Sequence, residues 1–231
     1  MNEAYQIIRI DDETWRIEDG MVRVYLLAGS EYALLVDTGM TLRTCRAIAE
    51  ELAGKPVRLL NTHGDPDHIA GNGAFQEFYM HPAEEENYRA FGGAGTLLPV
   101  REGDVLDPGG RPLEVIELPG HTPGSIALLD RSRRALISGD PIQSGRIFMF
   151  GPGRDLRQYL TSIRKLQKRI GEFDQIWPAH GAFPVEPAQI ARLGVGAERI
   201  LAGQTTWTPC EMRGKPLRLY DAGCAQFLME T

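Results

Sequence analysis

The sequence contains few cysteines, and their arrangement excludes several kinds of site. Cys45, Cys210 and Cys224 are the three cysteines of the chain, and none of them lies in a metal-binding or redox motif. An odd number of cysteines without an export signal indicates reduced thiols in the cytoplasm. A disulfide between Cys210 and Cys224 stays open, because sequence spacing does not give the distance between two side chains.

Long apolar segments and excess positive charge are also missing. No run approaches the ~18 apolar residues of a membrane-spanning helix, and segment 1–12 lacks the apolar core of a signal peptide. The net charge of −6 weighs against nonspecific binding to nucleic acid or to an anionic membrane. We therefore expect a cytoplasmic protein with a small-molecule substrate and without nucleic acid or membrane partners. The oligomeric state stays open, with a homodimer as one option.

The composition is that of an ordinary globular protein, with 42% hydrophobic and 24% charged residues in 231. Strand and helix patterns alternate without a linker-like run, which predicts one α/β domain over residues 1–231. Hydrophobic periodicity predicts helices at 41–52, 156–170 and 186–201. Apolar and β-branched runs predict strands at 22–28, 32–37, 57–60, 113–118, 125–130, 134–137, 175–178, 215–221 and 225–229.

The most informative segment directly follows the predicted strand at 57–60. Residues 61–68 read Asn-Thr-His-Gly-Asp-Pro-Asp-His, which places four candidate metal ligands within six residues: His63, Asp65, Asp67 and His68. The two histidines are five residues apart, so one helix face does not explain their pairing, whereas a tight loop does. Gly64 would permit unusual backbone angles in that loop, and Pro66 would fix one φ angle.

Three further candidate ligands follow other predicted strands. His121 lies in Pro-Gly-His-Thr-Pro-Gly, Asp140 in Ser-Gly-Asp-Pro, and His180 in Trp-Pro-Ala-His-Gly. Imidazole and carboxylate groups are the ligands that a hydrolytic metal centre needs. The fifth histidine, His81, precedes Pro82, which favours a helix-entry residue over a ligand.

The order and context of these residues resemble the metallo-β-lactamase-fold hydrolase superfamily. Its pattern is H-x-H-x-D-H, then a histidine in a G-H-T-P-G turn, an aspartate after a strand, and a late histidine before glycine. The resemblance extends from about Val22 to the C-terminal strands. It departs from the family at Asp65, where the usual pattern has histidine. The resemblance implies an α/β fold of the four-layer αββα type, with the metal site at one edge of the two sheets.

The resemblance also implies two divalent metal ions, most simply zinc, with iron or manganese as alternatives. The family pattern assigns the ligands residue by residue: His63, Asp65 and His121 to the first ion, Asp67, His68 and His180 to the second, and Asp140 to a bridging position. A metal-bridging hydroxide would be the nucleophile, and Asp67 would be the catalytic residue that orients it or relays a proton.

These features favour a metal-dependent hydrolase of a small ester, thioester, lactone or lactam. Asp65 adds a negative charge, which makes iron or manganese more competitive with zinc, and an acidic residue here is characteristic of the flavodiiron branch. The alternatives are therefore an iron-dependent oxidoreductase, dioxygenase-like or di-iron, and a metal-binding sensor with little turnover. Segment 145–154 would lie near the mouth of the site, and whether Phe148 and its neighbours line a pocket or pack in the interior stays open.

Overall fold

The computed structural model describes residues 5–212 and 214–230. It contains two compact units, Met1–Ile116 and Glu117–Thr231. Both units combine β-strands with helices, so the predicted α/β class is confirmed, whereas the expectation of a single domain stays a prediction. Within the described ranges, no helix has both the length and the apolar character that crossing a membrane would require.

A seven-stranded sheet dominates the first unit, with its strands in chain order. The pairs β1–β2, β2–β3 and β3–β4 are antiparallel, whereas the pairs β4–β5, β5–β6 and β6–β7 are parallel. The central strands β3 and β4 are almost completely buried, which explains their nearly continuous apolar sequence. An antiparallel hairpin, β8–β9, follows. The strands are β1 (Tyr5–Asp11), β2 (Thr14–Asp19), β3 (Val22–Ala28), β4 (Ala33–Val36), β5 (Val57–Leu60), β6 (Glu77–Met80), β7 (Thr96–Pro99), β8 (Val105–Leu106) and β9 (Leu113–Glu117).

The first helix begins later in the chain than the hydrophobic periodicity predicts, because the Asp19 side chain binds the backbone of the residues before the helix. Asp19 Oδ2 accepts hydrogen bonds from the amides of Met40, Thr41 and Leu42 at 2.7, 2.6 and 3.2 Å, which holds these residues in a turn. The helix ends at Gly54 in the left-handed conformation. The helices of this unit are α1 (Cys45–Ala53), α2 (Pro66–Ile69) and α3 (Glu85–Ala90), with 3₁₀ turns at Asn72–Ala74 and Pro82–Glu84.

The second unit contains two groups of strands and two long helices. Strand β11 pairs antiparallel with β10 and parallel with β13. The predicted terminal hairpin, β15–β16, is present, and it is extended by β14 on one side and by β12, parallel to β16, on the other. The strands are β10 (Ile126–Asp130), β11 (Ala135–Gly139), β12 (Arg146–Met149), β13 (Gln175–Pro178), β14 (Trp207–Met212), β15 (Lys215–Asp221) and β16 (Gln226–Glu230).

Helices α4 (Leu156–Gln167) and α5 (Ala188–Leu201) pack against each other. Helix α4 begins at Asp155, whose carboxylate accepts from the amides of Arg157 and Gln158, an N-cap that the sequence analysis did not identify. The predicted end at residue 170 is three residues late, because a separate 3₁₀ turn forms at Ile170–Glu172.

The ends of four strands determine where the candidate ligands lie. Strand β5 ends immediately before the segment that contains His63, and β9 ends four residues before His121. Asp140 directly follows β11, and His180 follows β13. The predicted placement of these residues in turns after strands is therefore confirmed.

Candidate metal centre

The segment after β5 brings together the four candidate ligands of the first unit. The tight loop that the sequence predicts contains only His63 and Asp65, because Asp67 and His68 lie in the short helix α2 that follows it. His63 Nε2 lies 3.7 Å from Asp65 Oδ2, and His68 Nε2 lies 3.7 Å from Asp67 Oδ2. The two imidazole rings are fully buried, with centroids 4.0 Å apart. Two atoms that bind one ion tetrahedrally at about 2.1 Å are about 3.4 Å apart. Each histidine–aspartate pair is therefore spaced as two ligands of one ion would be.

Gly64 has a different role in this loop from the one that the sequence suggested. It is not among the residues with positive φ, so the expectation of an unusual backbone angle is wrong. The loop instead leaves little room for a side chain at this position. A Cβ at Gly64 would lie 3.1 Å from the Tyr88 amide nitrogen and 3.2 Å from Glu84 Oε2. The Gly64 amide donates to this buried carboxylate at 2.8 Å, which fixes the loop. Pro66 occupies the first turn of α2, where its missing amide hydrogen is tolerated.

Asp37, directly after β4, determines the tautomers of both histidines. His68 Nδ1 lies 2.8 Å from Asp37 Oδ2, and it must donate because a carboxylate only accepts. The Thr62 hydroxyl donates to the same oxygen at 2.8 Å. It therefore accepts from His63 Nδ1, which is 3.1 Å away. Both histidines keep the Nε2 lone pair for a metal ion.

No motif in the sequence marks Asp37 as part of the site. The sequence shows an aspartate between a predicted buried strand and a glycine. This pattern is as typical of an ordinary turn as of a functional residue. In the structure Asp37 is 2% exposed and has a φ of 65°, a conformation that aspartate tolerates better than most residues. Its other oxygen accepts from the Thr62 amide at 2.7 Å.

Asp65, the residue that departs from the family pattern, is held in a similar way. Its Oδ1 accepts a hydrogen bond from Asn87 Nδ2 at 2.9 Å, while Oδ2 is the atom near His63. One oxygen is thus fixed by a neutral donor from α3, and the other faces the neighbouring imidazole. This geometry is compatible with a role for Asp65 as a ligand.

In the second unit, Asp140 lies between two histidines. Its Oδ2 is 3.5 Å from His121 Nε2, and its Oδ1 is 3.3 Å from His180 Nε2. His121 Nδ1 is 2.8 Å from the Phe148 carbonyl oxygen, so Nδ1 donates and Nε2 keeps its lone pair. One carboxylate that faces a different imidazole with each oxygen has the arrangement of a ligand that bridges two ions.

The loops that contain His121 and Asp140 are both fixed by Tyr159 of α4. Gly120 has a φ of 131°, and a Cβ there would lie 2.3 Å from the Tyr159 amide nitrogen. The Tyr159 hydroxyl donates to the Pro141 carbonyl at 2.8 Å. Burial raises the pKa of this hydroxyl well above its ordinary value, so Tyr159 stays a neutral donor. The Asp140 loop is also fixed by Gln143, whose Nε2 donates to the Asp140 carbonyl at 3.2 Å.

The remaining residues that the sequence suggested for the site have roles in the fold. His81 Nδ1 accepts from the Ala83 amide and caps a 3₁₀ turn, as predicted for a helix-entry residue. Segment 145–154 contains strand β12, with Ile147 and Met149 buried. Its contribution to the site, the Phe148 carbonyl, is a backbone group that no sequence pattern identifies. The three cysteines are free thiols.

The donors in these two groups fit divalent metal ions. The seven candidate ligands offer imidazole nitrogens and carboxylate oxygens, the donors that zinc, iron and manganese accept in hydrolytic centres. For His63, His68 and His121, the second ring nitrogen is occupied by a protein acceptor, which is the usual arrangement around metal-binding histidines. Their role as ligands stays a prediction.

Known proteins resemble the chain in both sequence and structure. The model of the metallo-β-lactamase superfamily matches residues 17–172. The human acyl-coenzyme A thioesterase MBLAC2 is 26% identical, over 68% of this chain and 72% of the relative. The hydroxyacylglutathione hydrolase of Gloeobacter violaceus is 31% identical, over 71% of this chain and 64% of its own length.

The solved structure of a metallo-β-lactamase from Pontibacter korlensis has a TM-score of 0.73 at 17% identity and covers 84% of this chain and 99% of that one. This similarity confirms the predicted fold. The family match and the hydrolase relatives identify a metal-dependent hydrolase from a family in which two-metal centres are typical. The chain therefore belongs to the metallo-β-lactamase superfamily.

Proposed function

We propose that the chain hydrolyses an acyl thioester and that it uses two divalent metal ions. Two groups of relatives support this substrate class, since acyl-coenzyme A thioesterase and hydroxyacylglutathione hydrolase are both names for enzymes that remove an acyl group from a thiol compound. The observation that supports the two-metal centre best is the position of Asp140, whose two oxygens face His121 and His180 separately.

The proposed ligand assignment follows the family pattern: His63, Asp65 and His121 bind the first ion, Asp67, His68 and His180 bind the second, and Asp140 bridges them. The 3.7 Å spacing within each histidine–aspartate pair of the segment after β5 is consistent with this division. Zinc is the proposed metal. Iron and manganese are the competitors, because the Asp65 carboxylate makes the first position harder than an all-histidine set.

Bound divalent ions would supply a nucleophilic water at neutral pH and would polarise the thioester carbonyl. The chain supplies position and proton transfer. Asp37 keeps the Nε2 lone pairs of His63 and His68 available. The Asp67 side chain is 25% exposed, compared with 13% for Asp65 and 4% for Asp140, so it is the candidate carboxylate that is most accessible to water. We assign to Asp67 the orientation of the attacking water and the removal of its proton.

Turnover of matched substrates tests this proposal. The metal-loaded chain would be assayed with an acyl-coenzyme A, an S-acylglutathione, the corresponding oxygen ester, a lactone and a β-lactam. We expect the highest kcat/KM for a thioester, and loss of turnover on chelation or in Asp140→Ala. A fully loaded protein that hydrolyses no thioester, or that prefers the oxygen ester or lactam tenfold, would refute the assignment. Oxygen consumption by the iron-loaded chain would instead support the oxidoreductase alternative.

The small-molecule substrate is consistent with the hydrolase relatives. The location in the cytoplasm, the lack of nucleic acid and membrane partners, and the oligomeric state stay predictions from the sequence.

A further inference from the structure

A cleft of about 630 Å³ lies in the second unit, between the exposed face of α5 and the turn that joins β15 to β16. Its volume is within the range of small-molecule sites. The lining residues include Arg192, Val195 and Arg199 of α5, Thr205 beyond the helix, and segment 221–224. None of the candidate metal ligands lines it, so the cleft needs an explanation of its own.

Two arginines provide the charge of the cleft. Arg192 and Arg199 are seven residues apart on α5, which separates their backbones by about 10.5 Å along the helix axis. The Arg199 side chain has no hydrogen bond or ion pair with any residue that the structure describes. Arg192 has a carboxylate partner only at 3.8 Å, Glu186, and both side chains are largely exposed, at 49% and 75%. Such a pair is weak in water, so both guanidinium groups are available to an anion.

The space between the two arginines is apolar. Val195 is 55% exposed there, opposite the turn between β15 and β16. The two walls approach each other closely at Gly196, because a Cβ at this position would lie 2.7 Å from Ala222 Cβ. Burial raises the pKa of the Cys224 thiol, which therefore presents an uncharged wall. Asp221 is the one carboxylate that lines the cleft, and the two arginines outnumber it.

The Arg192 end of the cleft is fixed by a buried glutamine. Gln189 is 3% exposed, and its Oε1 accepts from Arg192 Nε at 3.0 Å. Its Nε2 donates to the carbonyls of Gln143 and Cys224 at 2.9 and 2.8 Å. The guanidinium of Arg192 is thus oriented by an amide that is itself held from both sides. A pre-oriented group loses less conformational entropy when a ligand binds.

We infer that this cleft binds a small organic dianion whose two anionic groups are joined by an apolar segment and are far enough apart to pair with one arginine each. One anionic group pairs with Arg192 and the other with Arg199 and the Thr205 hydroxyl, while the apolar segment covers Val195 and Gly196. The guanidinium group matches the geometry of a carboxylate and of a phosphate. We therefore specify two anionic groups, and either carboxylate or phosphate satisfies this description. It does not depend on the proposed thioesterase activity.

Calorimetric titration of the full chain tests the inference, with linear α,ω-dicarboxylates of increasing length, the monocarboxylates of the same lengths, and α,ω-bisphosphates as probes. We expect an affinity maximum at the length that spans the two arginines, and at least tenfold weaker binding of the monocarboxylate. If carboxylate and phosphate differ, the better probe identifies the anionic group. Equal affinity at all lengths, or no binding of any probe at millimolar concentration, would overturn the inference.

Three variants and one control locate the binding. Arg192→Gln and Arg199→Gln should each weaken the best probe at least tenfold, and Val195→Trp should abolish binding by filling the cleft. All three positions are exposed, so the fold should survive, which circular dichroism checks. Arg157→Gln removes the same charge from an exposed position of α4 and should bind normally. Dicarboxylate binding that persists in Arg199→Gln and Val195→Trp would place the ligand elsewhere and refute the site.

Discussion

Replacing Asp37 by asparagine should weaken metal binding while the fold stays unchanged. Asparagine tolerates the φ of 65° at this position, and its carbonyl oxygen can still accept from the Thr62 amide. Its NH₂ group, however, replaces the oxygen that accepts from His68 Nδ1 and from the Thr62 hydroxyl. Two donors then face each other. His68 relieves this conflict by moving its proton from Nδ1 to Nε2, which removes the lone pair that a metal ion needs.

The size of the effect follows from the contacts of Asp37. Loss of the residue that orients a metal-binding histidine typically weakens metal affinity 10–100-fold, which corresponds to about 1.4–2.8 kcal/mol. The larger loss should concern the ion bound by His68. The metal-free chain should lose about 1–3 kcal/mol of unfolding free energy in addition, because a buried hydrogen-bond network is left incompletely satisfied.

Chelator competition with zinc measures the affinities, and urea unfolding of the metal-free chain measures the stability. The control is Asp130→Asn, which changes a carboxylate that is also fully buried and that accepts from the Ser132 hydroxyl in the turn after β10. It should lower stability while leaving zinc affinity unchanged. Zinc affinities of Asp37→Asn within twofold of wild type, with a stability loss equal to that of the control, would refute the role of Asp37 in fixing the tautomers.

Three further predictions concern other parts of the chain. Asp140→Ala and His121→Ala should each remove most hydrolytic activity with an unchanged circular dichroism spectrum, because the ions lose a ligand and their position; full activity in either variant contradicts the assignment. Asp65→His should shift metal preference toward zinc and move the acidic limb of the pH–rate profile to lower pH, and unchanged selectivity in competitive loading would count against Asp65 as a ligand. The hydrogen bond from Arg169 lowers the pKa of Glu172 from 4.5 to about 2, so its stabilising effect is complete above pH 4.5 and is lost as the pH falls toward 2. Because Glu172 is 32% exposed, Glu172→Gln should lower the free energy of unfolding by about 1 kcal/mol at neutral pH. The loss should become progressively smaller below pH 4.5. An equal loss in urea unfolding at pH 7 and pH 3 would refute this.

The parts of the site that could be predicted are those that depend on short segments. The cluster at 61–68 and the turn around His121 contain their candidate ligands and turn-forming residues within a few positions, so a single sequence is enough to predict them. Strands such as β5 and β11 are short, buried and nearly continuous in apolar residues, and their C-terminal ends were therefore predicted within a residue or two.

The parts that could not be predicted depend on contacts between distant segments. Helix α1 begins at Cys45 because Asp19, more than 20 positions earlier, binds the backbone of residues 40–42. Periodicity within the helix does not contain that information. The hydrogen bond from His121 to the Phe148 carbonyl is equally inaccessible, since every residue has a carbonyl group. The sequence therefore predicts which side chains are candidates for ligands, whereas the groups that orient them require the structure.

Asp65, a proposed ligand, has an orienting contact of the same kind. A histidine ligand has one nitrogen for the ion and one that is fixed by the protein, as His68 has in its contact with Asp37. A carboxylate can use its two oxygens in the same way, and the hydrogen bond from Asn87 to Asp65 Oδ1 leaves Oδ2 for the ion in the proposed assignment. Because Asn87 donates without adding charge, the extra negative charge of Asp65 is not neutralised by this contact. A metal ion at this position would therefore meet a more anionic set of ligands than the family pattern provides, and Asn87→Ala should weaken its binding by releasing Asp65 Oδ1 while leaving the number of ligands unchanged.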